Sequence, residues 1–321
     1  MRWTSALSLL ALPGCLLCGA AQAETVYVSD EQTNVIHVIH APEWTHIDRI
    51  PVGQRPRGLA LSRDGRKLYV AASNDNRIDV VDLATRKVVD TLPSGPDPER
   101  FALSPDGRWL YVANEDDSLV SFVDIAAKKI VREVEVGAEP EGMAVSPDGR
   151  WVVCTSESAS LVHVIDARSG ELVDSIPVGT RPRDAVFSAD GRQLWVSSET
   201  RATVAVFAMP ERRLLHTIDF DRDDGAPAMV QAVGMTLSPG RAFVALGRGN
   251  AVAEVDPKTF AIRRYLPVGN RNWGIATDAR EQRLYAANGL SGDVTVIDLA
   301  RNRMAATLHT GGKPWGVVVA P

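Results

Sequence analysis

A repeat with a period of 42 residues constrains the fold of this 321-residue chain more than any other feature of its sequence. A segment of the type Val-Gly-x-x-Pro recurs at four evenly spaced glycines, with Ser94 in place of the valine in the second, and the phase of the repeat returns at two later glycines. A fixed period of this length is typical of proteins in which every unit is one supersecondary element stacked on the next. The marker glycines are Gly53, Gly95, Gly137, Gly179, Gly269 and Gly311.

Each unit contains four strand patterns, which we label a to d in chain order. In the unit that follows Gly53, strand a leads into the turn Ser62–Arg66, and an apolar strand b begins at Leu68. Strand c ends on Asp82, and strand d covers residues 87–92. Proline, aspartate and glycine in such turns favour tight hairpins. Four strands in about 42 residues are typical of one blade of a β-propeller.

The number of b strands predicts an all-β, seven-bladed β-propeller of four-stranded blades. The first unit lacks strand a, whereas residues 315–319 form an unpaired a pattern at the end of the chain. We therefore expect the C-terminal strand to complete the N-terminal blade and close the ring, which removes exposed sheet edges. The b strands begin at Val26, Leu68, Leu110, Val152, Leu194, Ala242 and Leu284.

The N-terminus resembles a secretory signal, so residues 1–23 are predicted to be cleaved after Ala23 and residues 24–321 to form one domain in the periplasm. Lipid attachment at Cys15 is the alternative. The mature chain would keep 34 basic and 40 acidic residues, a net charge of −6, which disfavours nucleic acid as a partner. Cys154 would be the only remaining cysteine, so no intrachain disulfide is expected.

Function is expected on the face that carries the d→a and b→c loops, because that face varies between units. Two positions before strand a change charge around the predicted channel mouth, and the b→c loops add Glu115, Asp116 and Asp117. The first mouth position is occupied by Arg55, Asp97, Glu139, Arg181, Gln231, Arg271 and Lys313. The second mouth position is occupied by Arg57, Glu99, Glu141, Arg183, Val233, Trp273 and Trp315.

Charges and aromatic rings at a funnel mouth suit a small anionic ligand or the loop of a partner protein, with Trp273 and Trp315 as an aromatic shelf. Mutual neutralisation of the charges across the mouth is the alternative. An acidic insertion within Asp219–Gln231 lies on the same face, and calcium binding there is an open alternative. The histidines form no cluster in the repeat, and no metal site or catalytic residue is predicted.

The blade units "RPRGLALSRDGRKLYVAASNDNRIDVVDL" and "EPEGMAVSPDGRWVVCTSESASLVHVID" resemble the YVTN-type propeller repeat. The segments "ETVYVSDEQTNVIHVI" and "VGNRNWGIATD" resemble the β-propeller proteins associated with PQQ-dependent alcohol catabolism. This resemblance implies a periplasmic accessory role beside a quinoprotein dehydrogenase or cytochrome c. More distant relatives bind d1 haem through an axial histidine, or hydrolyse lactones with arginine and acidic groups in the channel.

Two functional hypotheses follow from the residues and the resemblance. In the first, the protein is a monomeric, non-catalytic binding or scaffold protein without a membrane span, and its mouth holds PQQ or another anion, or docks a protein. In the second, it is a lactonase-like hydrolase with Glu99 or Glu141 as general base and an arginine that stabilises the oxyanion. The lack of a paired nucleophile and base in the sequence favours the first hypothesis.

Overall fold

The computed structural model describes residues 24–41, 43–44 and 47–320, and these residues form seven four-stranded antiparallel sheets arranged as a seven-bladed β-propeller. The predicted signal segment, residues 1–23, and His46 lie outside the described residues. Within the described residues no helix is long and apolar enough to cross a membrane. The helices present there are 3₁₀ turns at Ser73–Asp75, Glu115–Asp117 and Phe220–Arg222.

The chain forms 28 strands, and every blade except the first uses four consecutive strands as a, b, c and d. Blade 1 combines β28 (Pro314–Ala320) with β1 (Thr25–Asp30), β2 (Val35–His40) and β3 (Ile47–Pro51). Blade 2 consists of β4 (Pro56–Leu61), β5 (Lys67–Ala72), β6 (Arg77–Asp82) and β7 (Lys87–Pro93). Blade 3 consists of β8 (Pro98–Leu103), β9 (Trp109–Asn114), β10 (Leu119–Asp124) and β11 (Lys129–Glu135).

The remaining blades follow the same order from the channel outwards. Blade 4 consists of β12 (Pro140–Val145), β13 (Trp151–Ser156), β14 (Leu161–Asp166) and β15 (Leu172–Pro177). Blade 5 consists of β16 (Pro182–Phe187), β17 (Gln193–Ser198), β18 (Thr203–Ala208) and β19 (Arg213–Asp219). Blade 6 consists of β20 (Met235–Leu237), β21 (Ala242–Ala245), β22 (Ala251–Val255) and β23 (Ile262–Pro267). Blade 7 consists of β24 (Asn272–Thr277), β25 (Arg283–Asn288), β26 (Asp293–Asp298) and β27 (Arg303–His309).

The two ends of the chain close the ring, as the repeat predicts. Strand β1 pairs antiparallel with β28, with Val26 opposite Val319 and Val28 opposite Val317. Ser29 strengthens this junction, because its hydroxyl accepts a hydrogen bond from the Gly316 N–H at 2.9 Å. The C-terminal strand is therefore an integral part of the N-terminal blade.

The hydrophobic core lies between neighbouring blades, where the b and c strands bury almost every side chain. Trp195 of blade 5, for example, packs in one cluster with Val244 and Val255 of blade 6. Cys154 is fully buried in a similar cluster, and burial raises the pKa of its thiol, as expected of a structural cysteine. The stacked blades hold the a strands rigidly around the channel, and their loops form its mouth.

Candidate functional site at the channel mouth

The d→a loops place the first mouth position on one face of the ring through a left-handed backbone. Arg55, Asp97 and Arg271 have φ angles of 52°, 47° and 53°. Their N–H groups donate to asparagine side chains of the preceding blade, as Arg55 does to Asn34 at 2.9 Å. The blade-to-blade hydrogen bonds fix the direction in which these charged side chains leave the backbone.

Each d→a loop is also bonded to the b→c loop of its own blade, which brings a second set of residues to the mouth. The Glu115 N–H donates to the Asp97 carbonyl at 3.1 Å, and the Glu157 N–H donates to the Glu139 carbonyl at 2.8 Å. The residue five places after the start of strand b therefore lies beside the mouth positions. It is a glutamate in four blades, at Glu31, Glu115, Glu157 and Glu199.

Three of these glutamates were missed as mouth residues by the sequence analysis, which noted only Glu115. A signal was available, because Glu115, Glu157 and Glu199 follow one another at the repeat period of 42 residues. Their side chains contact arginines of the mouth: Glu157 contacts Arg181 at 2.5 Å, and Glu199 contacts Arg183 at 2.7 Å. The acidic component of the site is therefore larger than the varying mouth positions alone indicate.

The charged residues at the second mouth position are buried and paired with one another. Glu99 is fully buried and pairs with Arg57, and Glu141 is 3% exposed and pairs with Arg183. Arg183 also pairs with Glu157, so one guanidinium bridges two carboxyl groups. The alternative of mutual neutralisation is thus realised at this position, where each arginine offsets part of the cost of burying the acids.

Two carboxyl pairs stand at equivalent places in blades 3 and 4. The first is Glu99 with Glu115, each of which has a carboxyl oxygen within 4.8 Å of one on the other and of one on Asp97. Burial raises the pKa of Glu115, and burial together with the charge of Glu141 raises that of Glu99 well above its ordinary range. Two neighbouring carboxyl groups with raised pKa values can share one proton.

The second carboxyl pair is Glu141 with Glu157. Burial and the neighbouring Glu141 raise the pKa of Glu157 to about 8. Burial alone would also raise the pKa of Glu141, but the charge of Arg183 and the hydrogen bond from Glu157 hold it below its ordinary value. Glu157 is therefore the carboxyl group of this pair that holds its proton more tightly.

The two tryptophans lie on adjacent blades but do not form the expected exposed shelf. Trp315 is 3% exposed, and its ring lies between the guanidinium groups of Arg57, at 5.5 Å, and Arg100, at 4.7 Å. Trp273 is half-buried under Arg271, whose guanidinium carbon is 4.4 Å from the ring centroid. Only Trp273 therefore presents an aromatic surface to a ligand at the mouth.

The first mouth position is more open than the second. Arg55 pairs with Asp97 at 2.8 Å with 29% of its side chain exposed, and Arg181 is 49% exposed. Glu139 accepts a hydrogen bond from the Ser158 hydroxyl at 2.5 Å. The Lys313 N–H donates to Asp30 at 3.0 Å, so its backbone is anchored at the rim.

Arg271 is the arginine of the mouth whose charge is least compensated. Its nearest acid is Glu199, at 3.9 Å, beyond hydrogen-bond distance. Burial lowers its pKa, and the nearby charges of Arg248 and Arg183 lower it further, whereas Glu199 raises it. The mouth is thus acidic on blades 3 and 4 and basic towards blade 7.

The acidic insertion lies beside this basic side, between the end of β19 and the start of β20. It begins with the 3₁₀ turn Phe220–Arg222, and Asp223 accepts a hydrogen bond from the Tyr265 hydroxyl at 2.5 Å. Among the described residues, the acidic group close enough to share a cation is Asp97, Glu99 and Glu115, which lies outside the insertion. Calcium binding by the insertion remains a prediction.

The described histidines of strand c are occupied by structural hydrogen bonds. His37 contacts Asp30 at 3.2 Å and is fully buried, and His163 accepts from the Gly137 N–H at 2.9 Å. Among the described residues no histidine stands at a mouth position. The site therefore does not fit a haem that needs an axial histidine at the mouth.

Comparison with known proteins places the chain among β-propellers. Residues 99–214, which span blades 3 to 5, match the model of the cytochrome D1 heme domain. No curated protein matches the chain. These residues include both carboxyl pairs and Arg183.

Solved structures resemble the fold over nearly the whole chain. Periplasmic gluconolactonase PpgL of Pseudomonas aeruginosa is 21% identical with a TM-score of 0.77, covering 93% of this chain and 99% of its own. Hydrazine synthase of Kuenenia stuttgartiensis is 23% identical with a TM-score of 0.72 and coverages of 81% and 88%. The dihydro-heme d1 dehydrogenase NirN is 19% identical with a TM-score of 0.67 and coverages of 92% and 74%. At these identities the likeness shows the fold.

Proposed function

We propose that the protein is a hydrolase of lactones or related esters, and that its active site is the carboxyl pair of Glu99 and Glu115 beside Arg55 and Arg57. The observation that carries this proposal is the pair itself. Two carboxyl groups that share a proton can act as general base and general acid in one reaction. The proposal adds Glu115 as a second group to the single glutamate base, Glu99, that the sequence suggests.

The Glu99 pair is favoured over Glu141 and Glu157 because one of its members, Glu115, is accessible, although Glu99 itself is fully buried. Glu115 is half-buried at the mouth, and the adjacent Asp97 and Arg55 are 20% and 29% exposed. Glu141 and Glu157 are 3% exposed each, and Arg183 lies between them. A ring-shaped ester can therefore reach the first pair without breaking the buried network around Arg183.

The reaction that fits these groups is the addition of water to a lactone carbonyl. The ionised carboxyl group of the pair takes a proton from water as the water oxygen bonds to the carbonyl carbon. The Arg55 guanidinium stabilises the oxyanion, since it is positively charged, 29% exposed and held beside the pair by Asp97 and Glu99. The ring C–O bond then breaks, and the protonated carboxyl group gives its proton to the leaving alkoxide, which yields a hydroxy acid.

One comparison supports this proposal. A periplasmic gluconolactonase shares the fold over nearly the full length of both chains. The mouth also contains arginine and acidic groups together, although their positions do not match those of lactone-hydrolysing propellers one by one. We accordingly propose a sugar lactone as substrate and the periplasm as location, with residues 1–23 as the export signal.

Hydrolysis of glucono-1,5-lactone by the chain lacking residues 1–23 tests the proposal. Glu115→Gln should lower kcat/KM by about 10²–10⁴, the usual contribution of general acid–base catalysis. Asp116→Asn is the matched control, because Asp116 is an exposed acid in the same 3₁₀ turn and should leave the rate unchanged. Equal rates in both variants, or no hydrolysis above the spontaneous rate, would refute the proposal.

The pH profile gives an independent readout. One ionised and one protonated carboxyl group are required, so kcat/KM should be bell-shaped. Because the pKa values of Glu99 and Glu115 are both raised, the acidic limb should lie above the ordinary glutamate pKa of 4.5. A kcat/KM that shows no acidic limb above pH 4.5 would indicate that this pair does not act.

A second candidate function is binding of an anionic molecule without chemistry, and Arg271 favours it. This guanidinium stacks on Trp273 and has no acid within hydrogen-bond distance among the described residues. Thermal shift of wild type and Arg271→Gln with PQQ and with haem tests the candidate. A shift lost in Arg271→Gln and kept in Glu115→Gln supports binding, whereas no shift in wild type rejects both ligands.

A partner role also stays a prediction. A periplasmic quinoprotein dehydrogenase or cytochrome c would dock on the mouth face, where Arg181 and Lys313 stand at the rim. Co-purification from periplasm tests this role, with Arg181→Glu as the variant that should abolish it. If Arg181→Glu still co-purifies with the same partner, the partner binds at a surface other than the one around Arg181.

A further inference from the structure

The residue directly after the second mouth position is glycine in five blades and a charged residue in the other two. This channel position is occupied by glycine in five a strands, which bring their backbones close together around the channel axis. A Cβ atom on Gly274 would stand 2.6 Å from the Trp315 carbonyl oxygen, and one on Gly58 would stand 2.9 Å from the Glu99 carbonyl oxygen. The five glycines are Gly58, Gly142, Gly234, Gly274 and Gly316.

Arg100 and Asp184 occupy the other two channel positions, two blades apart. Their side chains meet across the channel, with the Arg100 Nη1 atom 3.4 Å from the Asp184 Oδ1 atom. This distance is long for a charge-assisted hydrogen bond, which is usually 2.7–2.9 Å. The pair is therefore a weak contact between two charges that the sequence places in an otherwise glycine-lined channel.

Asp184 has better partners than Arg100. Its Oδ2 atom accepts a hydrogen bond from the Met235 N–H at 2.8 Å, and its Oδ1 atom accepts one from the Ala185 N–H at 3.0 Å. Asp184 is 4% exposed, so these backbone bonds define its position. The Asp184 carboxylate that faces Arg100 thus already accepts hydrogen bonds from two backbone N–H groups.

Arg100 keeps unused donors. Its Nε atom is buried and has no hydrogen-bond partner among the described residues. Trp315 covers one face of the guanidinium at 4.7 Å, and among the described residues the edge that carries the donors makes one hydrogen bond, from Nη1 to Asp184 at 3.4 Å. A buried donor without a partner costs about 1–3 kcal/mol, so the structure favours an acceptor from outside the protein.

A cavity lies in the channel next to this edge. Its volume is about 90 Å³, and its walls combine Arg100 and Asp184 with glycine backbone and with apolar residues such as Met143 and Ile275. At about 30 Å³ for each water molecule in the liquid, the cavity has room for a few waters or for one ion of the size of acetate.

We propose that this cavity is an anion site beneath the mouth, and that it binds a small carboxylate through the edge of the Arg100 guanidinium. A planar carboxylate matches the planar donor fork of arginine and supplies the acceptor that Nε lacks. Met143 and Ile275 contact the short apolar part of the ligand. The site differs from the proposed hydrolytic site, since it uses neither Glu99 nor Glu115.

Line broadening of ¹³C-labelled acetate in NMR spectra tests the site at constant ionic strength. The wild-type chain lacking residues 1–23 should broaden the carboxylate signal. Arg100→Gln should weaken the affinity at least tenfold, and Arg100→Lys, which keeps the charge and is less disruptive, should also weaken it because the fork is lost. Arg66→Gln removes an equal charge from an exposed turn on the opposite face and should bind as wild type does.

Two results would overturn the proposal. One is acetate binding by Arg100→Gln and Arg100→Lys with the affinity of wild type, and the other is no binding by wild type, which would leave water as the partner of Nε. Glu115→Gln should retain acetate binding even though it is expected to lose hydrolysis. The two proposals can therefore fail separately.

Discussion

Replacing Glu157 by glutamine should remove a fall in stability between pH 5 and pH 8. The pKa of Glu157 is raised from 4.5 to about 8 by burial and by Glu141. Across this range the Glu157 carboxyl group is largely ionised in the unfolded chain, whereas in the folded chain it keeps its proton until the pH approaches 8. Stability falls with pH wherever the folded state binds more protons, so the wild-type protein should weaken as the pH rises.

The structure sets the size of this effect. One proton of difference changes the free energy of unfolding by at most about 1.4 kcal/mol per pH unit, which is about 4 kcal/mol over the three units. The pKa of about 8 already includes the attraction of Arg181 and Arg183 for the ionised form of Glu157. Because the folded chain begins to release the proton as the pH nears 8, we expect a loss of about 3 kcal/mol from pH 5 to pH 8.

Urea unfolding at each pH unit measures the effect. Glu157→Gln cannot ionise and keeps an N–H donor for Glu141, so its free energy of unfolding should vary less with pH than that of wild type. Glu133→Gln is the control, because Glu133 is exposed on β11 and should reproduce the wild-type slope. The same slope in wild type and Glu157→Gln would refute the assigned proton.

Two further substitutions test the packing of Trp273 at the mouth and the closure of the ring. Gly289→Ala would place a Cβ atom 3.0 Å from the Trp273 ring and should shift its fluorescence, whereas an unchanged spectrum would show that the ring adjusts without cost. Ser29→Ala removes a fully buried hydroxyl that donates to the Arg57 carbonyl at 2.7 Å and accepts from the Gly316 N–H. It should lower the free energy of unfolding by about 1–3 kcal/mol in urea, and a loss below 0.5 kcal/mol would contradict the role of this bond in ring closure.

The fold was predictable because several independent features of the sequence recur with the same period. The turn Ser62–Arg66 and its counterparts, the apolar b strands and the terminal strand at residues 315–319 all indicate the same blade. The structure confirms seven blades and the pairing of β1 with β28. A periodic pattern specifies a propeller strongly, since each blade packs mainly on its neighbours.

The pairing of charges at the mouth was not predictable in the same way. Repeat position shows that Arg57 and Glu99 are equivalent residues of adjacent blades, but not that their side chains meet. The burial of Trp315 depends on Arg57 and Arg100, which belong to two different blades. Such contacts depend on side-chain direction and on distances across the channel, which a single sequence does not contain.

The two mouth positions consequently have different roles. Breaking a buried ion pair costs about 3–5 kcal/mol, so a ligand cannot easily displace Glu141 from Arg183. Arg55 and Arg181 are partly exposed, and exchange of a partner there costs much less, because exposed pairs contribute about 0–1 kcal/mol. A ligand should therefore meet the first mouth position directly, while the second holds the carboxyl protons in place beneath it.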